Sequence, residues 1–346
     1  MKPPLEIPTM QQIDRMPFNG LRVISTFSGC GGSSTGYKMT GCKVVAANEF
    51  VEVAAETYRA NHPTTHLDRR DIREIGGTDL LAPAGLQPGE LDILDGSPPC
   101  SSYSSAGITS DGWGKAKLYS GNKRQRTDDL FTHFLRLLND IKPRAFVVEN
   151  VAGLVRGASR GVFVEVLRSM KSSGYAVSCR VLDAQWLGVP QRRTRTIFVG
   201  MRSDLGIEPR HPKPLPYRYT LQEALYCDAG DTSCASIERF AIGKEWDKMG
   251  RPGTQSDRYF SLVRPRLDEP CPTVTAVRHG AAKVVHPFEK RGFTIAELKR
   301  IAGFPPDYIF TGTYDEQQER IGRAVPPVMM SHIAASVVAQ LKGTHD

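Results

Sequence analysis

Three short stretches carry side chains whose types and spacing could do chemistry. Gly96-Ser97-Pro98-Pro99-Cys100 ends in a thiol, Glu149-Asn150-Val151 offers a carboxylate, and Gln191-Arg192-Arg193-Thr194-Arg195 offers guanidiniums. Two consecutive prolines hold the backbone extended, so the side chain after them is rigidly placed and Cys100 reads as an aimed nucleophile. Read singly, it is more readily a small buried hydrophobe, as most cysteines are. The neighbours shift that balance. If residues 194–200 form a strand, period two puts Arg193 and Arg195 on one face, and a thiol, a carboxylate and paired guanidiniums converge.

A second group suits a nucleoside. Phe27-Ser28-Gly29-Cys30-Gly31-Gly32 follows an apolar run and precedes a helical stretch, a turn in which glycines let the backbone approach a ligand and expose amide donors. Its spacing is not the dinucleotide GxGxxG pattern, and taken alone it is equally a plain structural turn. Asn48-Glu49-Phe50 puts a carboxylate about 20 residues after the glycines, where α/β sites bind ribose hydroxyls. Asp71-Ile72 supplies a second acid. An acid on the ribose, an aromatic beside the base and an acid at its amine together describe an adenosyl pocket, whereas Glu49 alone would be a solvated strand end.

These residues need a scaffold that brings strand ends together. Short β-branched runs at 21–27, 43–47, 91–95, 145–149, 176–182 and 194–200 read as buried parallel strands, each ending in a turn or polar residue. Between them lie helical patterns. In 128–141, Leu130, Phe134, Leu137, Leu138 and Ile141 recur at three- and four-residue spacing. The alternation predicts a doubly wound α/β sheet, whose ligands sit at the carboxyl ends of its strands. From about 202 to 263 the pattern turns to Pro, Gly and polar residues, and a second module is expected there. Helical periodicity returns at 294–301 and at 327–341, the last an apolar helix expected to pack back onto the sheet.

Length and composition agree. At 346 residues and 38.2 kDa the chain has room for a large core and a smaller module. With 40% hydrophobic and 24% charged residues, and no apolar run near the roughly 20 residues that span a bilayer, a membrane is not expected as a partner. The stretch before Leu21 scatters Lys2, Glu6, Asp14 and Arg15 among prolines, without the apolar segment of an export signal. Seven cysteines without a CxxC pair suggest neither a disulfide framework nor a zinc site, so no metal is expected and a reducing cytoplasm fits. A net charge of +8 favours a polyanionic partner.

The run FSGCGG, NEF, DI, GSPPC, ENV, GVPQRRTR and PTV, in this order, resembles the cytosine-C5 DNA methyltransferases of bacteria and phages. The similarity spans about 21–341, interrupted near 202–263. The resemblance implies a Rossmann-like methyltransferase sheet built from 1–201 and 264–346, with a small target-recognition domain at 202–263. It implies double-stranded DNA as partner, with one cytosine flipped out, no second subunit, and S-adenosylmethionine as donor. Cys100 would add to cytosine C6, Glu149 would hold N3, Arg195 the O2 side, and Arg193 would order the loop or a phosphate. In the cofactor site Glu49 would meet the ribose, Phe50 the adenine, Asp71 and Ile72 the base edge, and Phe27 with Ser28, Gly29, Cys30, Gly31 and Gly32 the methionine part. Pro98, Arg323, Ala324 and Val325 complete that set.

The resemblance has departures. Ser101 and Tyr103 stand where the family has Gln and Phe in its loop. Gly322-Arg323-Ala324-Val325-Pro326 stands where it has Gly-Asn-Ala-Val-Pro, putting a guanidinium near a cationic sulfonium. Three readings of Arg323 are open: it turns outward to a phosphate or surface acid; it pairs with an internal carboxylate; or it recognises a carboxylate on the donor. The last would make the donor carboxy-S-adenosylmethionine and the product 5-carboxymethylcytosine. A tRNA cytosine methyltransferase would use the same chemistry on another nucleic acid, and a non-catalytic DNA-binding homologue would keep the fold without it. The variable segment carries Arg210, Lys213, Tyr217, Arg218 and Trp246, which favour DNA, and Arg251, Gln255, Ser256 and Arg258 are its candidate base readers.

Overall fold

The structure, a computed structural model, describes residues 2–99, 117–118, 124–125, 129–155, 160–225, 241–259, 262–276 and 284–343. The chain packs as two units. One comprises Arg15–Leu182, Thr194–Lys213 and Met330–Asp346; the other comprises Met1–Asp14, Asp183–Arg193 and Pro214–Met329.

The first unit is built on seven strands. They are β1 (Arg22–Thr26), β2 (Lys43–Asn48), β3 (His66–Asp68), β4 (Ile93–Gly96), β5 (Ala145–Val151), β6 (Tyr175–Asp183) and β7 (Thr194–Arg202), in the order β3-β2-β1-β4-β5-β7-β6. The four pairings from β3 to β5 are parallel. Near-continuous burial of β1, β4 and β5 is what a sheet covered on both faces requires. Helices α1 (Gly32–Lys38), α2 (Glu52–Asn61), α3 (Leu130–Ile141) and α4 (Arg160–Ser172) supply crossovers. The expected apolar stripe of α3 is the buried one: Leu130, Phe134, Leu137, Leu138 and Ile141 join Phe146 and Phe198 in one core. There Phe134 meets Phe146 edge-on at 6.2 Å. Each such ring, fully buried, stabilises by about 1.5–3 kcal/mol.

At the amino end of the sheet, Asp92 accepts the Arg22 amide at 2.8 Å and pairs with Arg144 at 2.9 Å, tying β1, β4 and β5. At the carboxyl end Gly96 is required by space, because a Cβ there would lie 2.6 Å from the Phe134 ring.

The last two strands differ from the expectation of six buried parallel strands. β7 runs antiparallel to β5, and β6 is mostly half-exposed. The physical reason is the connection: only 184–193 separates β6 from β7, too short for the crossover that parallel neighbours need.

In the second unit Thr294 caps α5 (Ile295–Ile301), accepting from Glu297 N at 3.1 Å while the Glu297 carboxylate accepts the Thr294 amide at 2.7 Å. Thr313 caps α6 (Tyr314–Arg323) in the same way. Arg291 forks onto Glu289 and Glu297. The unit is wider than 202–263, and residues 202–213 group with the sheet.

The closing helix is α7 (Pro327–Lys342), and its residues from Met330 onward group with the sheet, where Arg144 donates to the Leu341 carbonyl at 3.4 Å. The stretch Tyr314–Lys342 is long and apolar enough by composition to cross a bilayer, but half of its apolar window is buried inside the protein, as in a core helix.

Candidate active site

The glycine turn and Glu49 form one hydrogen-bonded body. Phe27 leaves β1 with φ 51°, and Gly29 and Gly31 follow at φ 55° and 91°. These left-handed residues turn the chain back into α1, at a strain that for Phe27 only a tightly determined surrounding sustains. Ser28 donates through N and Oγ to the Asn48 carbonyl. The Glu49 carboxylate accepts Gly29 N at 2.7 Å and Val51 N at 2.6 Å. Burial pushes this carboxyl up, against the amides of Val51, Gly29 and Phe50 that favour its charge. Cys30 is buried, Phe27 and Phe50 are half-buried, and a Cβ built on Gly29 would meet nothing within 4 Å. The turn therefore faces open space.

Asp71 is not free at a strand end. Arg73 grips both its oxygens, at 3.0 and 3.1 Å, and reaches on to Asp129 at 2.8 Å. Ile72 is buried in the core. Helix α1 is polar yet buried, and its serine and threonine hydroxyls each have a partner: Ser33 donates to Asp95, Ser34 meets the Tyr58 hydroxyl, and Thr35 donates to the Gly31 carbonyl.

Beyond β4 the chain runs Ser97-Pro98-Pro99. Ser97 N donates to the Thr26 carbonyl at 3.3 Å, and Asn150, buried, donates to the Pro98 carbonyl at 3.2 Å. The segment before Cys100 is thus tied to β1 and to the end of β5. Cys100 itself, and Ser101 and Tyr103 after it, lie outside the described residues. Glu149 Oε1 lies 2.6 Å from Arg195 Nε, an ion pair in which neither side chain is more than 14% exposed. Antiparallel pairing creates it. Val151 sits opposite Arg195 and Glu149 opposite Ile197, so the two are diagonal neighbours at the carboxyl end of β5. A parallel β7 would have put Arg195 at the other end of the sheet.

Arg193 does not share this task. It precedes β7, is 2% exposed, and donates to the carbonyls of Val274 (3.2 Å), Gly322 (3.0 Å) and Ala324 (2.8 Å) in its own unit. It clamps the turn that carries Arg323. Arg323 pairs with Glu319 one helical turn back, at 2.8 and 3.0 Å, so the internal carboxylate is the partner the fold provides. Val325 is buried and Ala324 half-buried.

Among the candidate base readers, Ser256 is buried and its Oγ accepts the amides of Arg258 and Tyr259, which makes it a turn residue. Arg258 stacks on Tyr259, and Arg251 and Gln255 are exposed. Trp246 lies under Arg264, 3.9 Å from ring centroid to guanidinium carbon. Sequence reasoning missed Asp95, whose only signal is an acid inside an apolar strand, and it missed the Arg73 link and the tie from Asn150 to Pro98. No cluster of metal-ligating side chains occurs among the described residues.

A sheet of this order, with its antiparallel strand between β5 and β6, a glycine turn after β1, an acid after β2 and another near the end of β5, defines an α/β methyltransferase. Residues 21–339 match the family model of C-5 cytosine-specific DNA methylases, and the chain belongs to that family. It is 30% identical to the type II methyltransferase M.NgoPII of Neisseria gonorrhoeae, over 96% of this chain and 100% of the relative. To M1.HphI of Haemophilus parahaemolyticus it is also 30% identical, over 92% and 87%. Two solved structures share the fold. A protein described as a DNA modification methyltransferase encoded within an E. coli prophage superposes with TM-score 0.74 at 22% identity, covering 93% of this chain and 100% of that one. The Entamoeba histolytica methyltransferase EhMeth gives 0.66 at 17%, covering 93% and 98%. The chain is a DNA cytosine-5 methyltransferase that uses S-adenosylmethionine.

Proposed function

We propose that the enzyme methylates a cytosine flipped out of double-stranded DNA by covalent catalysis from Cys100. The observation that carries this reading is the pairing of Glu149 with Arg195 directly behind the tethered Pro98-Pro99 segment. Cytosine C5 is a poor nucleophile, and addition of the Cys100 thiolate to C6 pushes electron density onto C5. Glu149 holds N3 and its proton as charge develops, and Arg195 both orients Glu149 and faces the O2 side. Once C5 has taken the methyl, loss of its proton to solvent re-forms the C5–C6 double bond and expels the thiol.

The donor, when bound, supplies an electrophilic methyl on a sulfonium. The residues present fit it: the open space before Gly29 accepts the methionine part, Glu49 stands at the ribose and Phe50 beside the adenine. Asp71 and Ile72 line the base edge, with Arg73 fixing the acid. In this reading Arg193 orders the Gly322–Pro326 turn and is not a catalytic residue.

Methyl is the group we infer to be transferred. Arg323 has its carboxylate in Glu319, so its charge does not call for one on the donor. By likeness to the type II methyltransferases we infer a role in restriction–modification, with residues 202–263 contributing to target recognition, as a monomer in the cytoplasm of the cell whose DNA it marks.

The test is mechanism-based trapping. DNA carrying 5-fluorocytosine should form a covalent complex with the wild type in the presence of donor and none with Cys100→Ala. A complex that survives the substitution would remove Cys100 from the mechanism. Digestion of ordinary DNA to nucleosides should give 5-methylcytosine.

A further inference from the structure

Asp95 has no part in the chemistry above, yet it is fully buried at the functional end of the sheet. It lies in register with Ser25 of β1 on one side and Val147 of β5 on the other. Ser25 Oγ donates to Oδ2 at 2.7 Å and Ser33 Oγ to Oδ1 at 3.1 Å. Ser25 stands on the strand that enters the glycine turn, and Ser33 on the helix that leaves it. One carboxylate therefore grips both ends of 27–32. The other titratable groups that face it are Tyr37 of α1 and Tyr58 of α2, both buried, and Glu149 of β5. None is a cation.

A buried carboxylate held only by hydroxyls is costly, and a neutral amide would make comparable hydrogen bonds at less expense. Burial, with Glu149 adding to it, pushes the Asp95 carboxyl up to about 7 against the pull of Ser25 and Ser33. Its charge thus changes across neutrality. In the protonated acid one oxygen carries a hydrogen and both accept less strongly than a carboxylate, so the grip on the turn changes with the charge.

We propose that Asp95 is a positioning residue of the donor pocket that holds the 27–32 turn through Ser25 and Ser33 and, by its negative charge, favours the sulfonium donor over its uncharged thioether product. The proposal rests on the assignment of that turn to the donor. It gives the enzyme a means of releasing product without loosening the pocket. Coulomb attraction between unit charges in a partly buried site supports a preference of roughly tenfold.

The test is equilibrium binding of S-adenosylmethionine and S-adenosylhomocysteine to the full chain between about pH 5.5 and 8.5. In the wild type the ratio of the two affinities should rise roughly tenfold in favour of the donor as pH climbs through about 7. Asp95→Asn should flatten that rise, while Ser33→Ala, which keeps the charge, should weaken both ligands together and preserve the rise. A purely structural role would lower both ligands in parallel in every variant. Asp95→Asn with the wild-type ratio at all pH values overturns the proposal, as does a wild-type ratio that does not change with pH. Should Asn not fold there, Asp95→Ser is a second neutral side chain, and the wild-type series stands alone. Glu49→Gln separates the two layers. If it binds donor as the wild type does, the pocket assignment and this proposal fall together; if it loses donor while Asp95→Asn keeps the wild-type ratio, only the Asp95 proposal falls.

Discussion

The two units use the same residue type for opposite ends. In the sheet unit Arg195 meets a carboxylate at a strand end, where polar groups stand beside open space. In the second unit Arg193, two residues earlier, is sunk among three backbone carbonyls, and Arg291 is spent on Glu289 and Glu297. The difference teaches that sequence proximity does not assign a task. What a guanidinium is given to bind does: the carboxylate of the proposed chemistry, or carbonyls that would otherwise be orphaned. Loss of the first should cost rate, and loss of the second should cost stability.

The sharpest break of this contrast is Glu149→Gln. It should lower kcat of the folded protein by about 10²–10⁴, the usual worth of a positioned proton-transfer group, and cost stability besides, because the buried Arg195 guanidinium loses its partner; parallel rate and melting measurements separate the two. Arg193→Met should cost stability and leave kcat of the folded protein near the wild-type value. Three buried carbonyls lose their donor, at about 1–3 kcal/mol for each buried group left unsatisfied, and urea denaturation should show a loss of about 3 kcal/mol or more. If kcat in the folded Arg193→Met protein fell as far as in Glu149→Gln, the division of labour would be wrong.

Asp95 tests the contrast through pH. Its native carboxyl titrates at about 7 against an ordinary 3.8, so the folded state holds the proton more tightly than the unfolded one. The stability this brings is complete below about 4 and is lost as pH rises to about 7. Asp95→Asn lacks that loss. Its melting temperature should gain on the wild type as pH climbs through this window and hold a constant offset above it.

Gly96→Ala should cost about 1–3 kcal/mol by driving a methyl into the Phe134 ring, and it should also slow catalysis by moving the Ser97-Pro98-Pro99 segment. Arg323→Asn should be the mildest change. It removes a half-exposed i,i+4 ion pair worth about 0.5 kcal/mol, and nucleoside analysis should still give 5-methylcytosine alone.

Much of the scaffold was legible because burial writes periodicity into a chain. The core stripe of α3, the capping box before α5 and the buried runs of β1, β4 and β5 follow from local chemistry. So do the left-handed glycines after β1. Strand direction was not legible. An apolar run reads alike whichever way it points, and only the short link 184–193 forces β7 to return antiparallel. The partners of other polar groups were also invisible, because Asp129 and the carbonyls of Val274 and Gly322 are brought to their arginines by folding, not by spacing that advertises them.

The sequence by itself determined the family, the order of the strand-end groups and the candidate nucleophile, since these rest on residue types at fixed separations. Only the tertiary structure decided that Arg195 and not Arg193 meets Glu149, and that Asp95 holds Ser25 and Ser33 on either side of the 27–32 turn. Each of these depends on register and burial, which arise when distant segments share one dry interior and every charge there must find a partner or shift its proton.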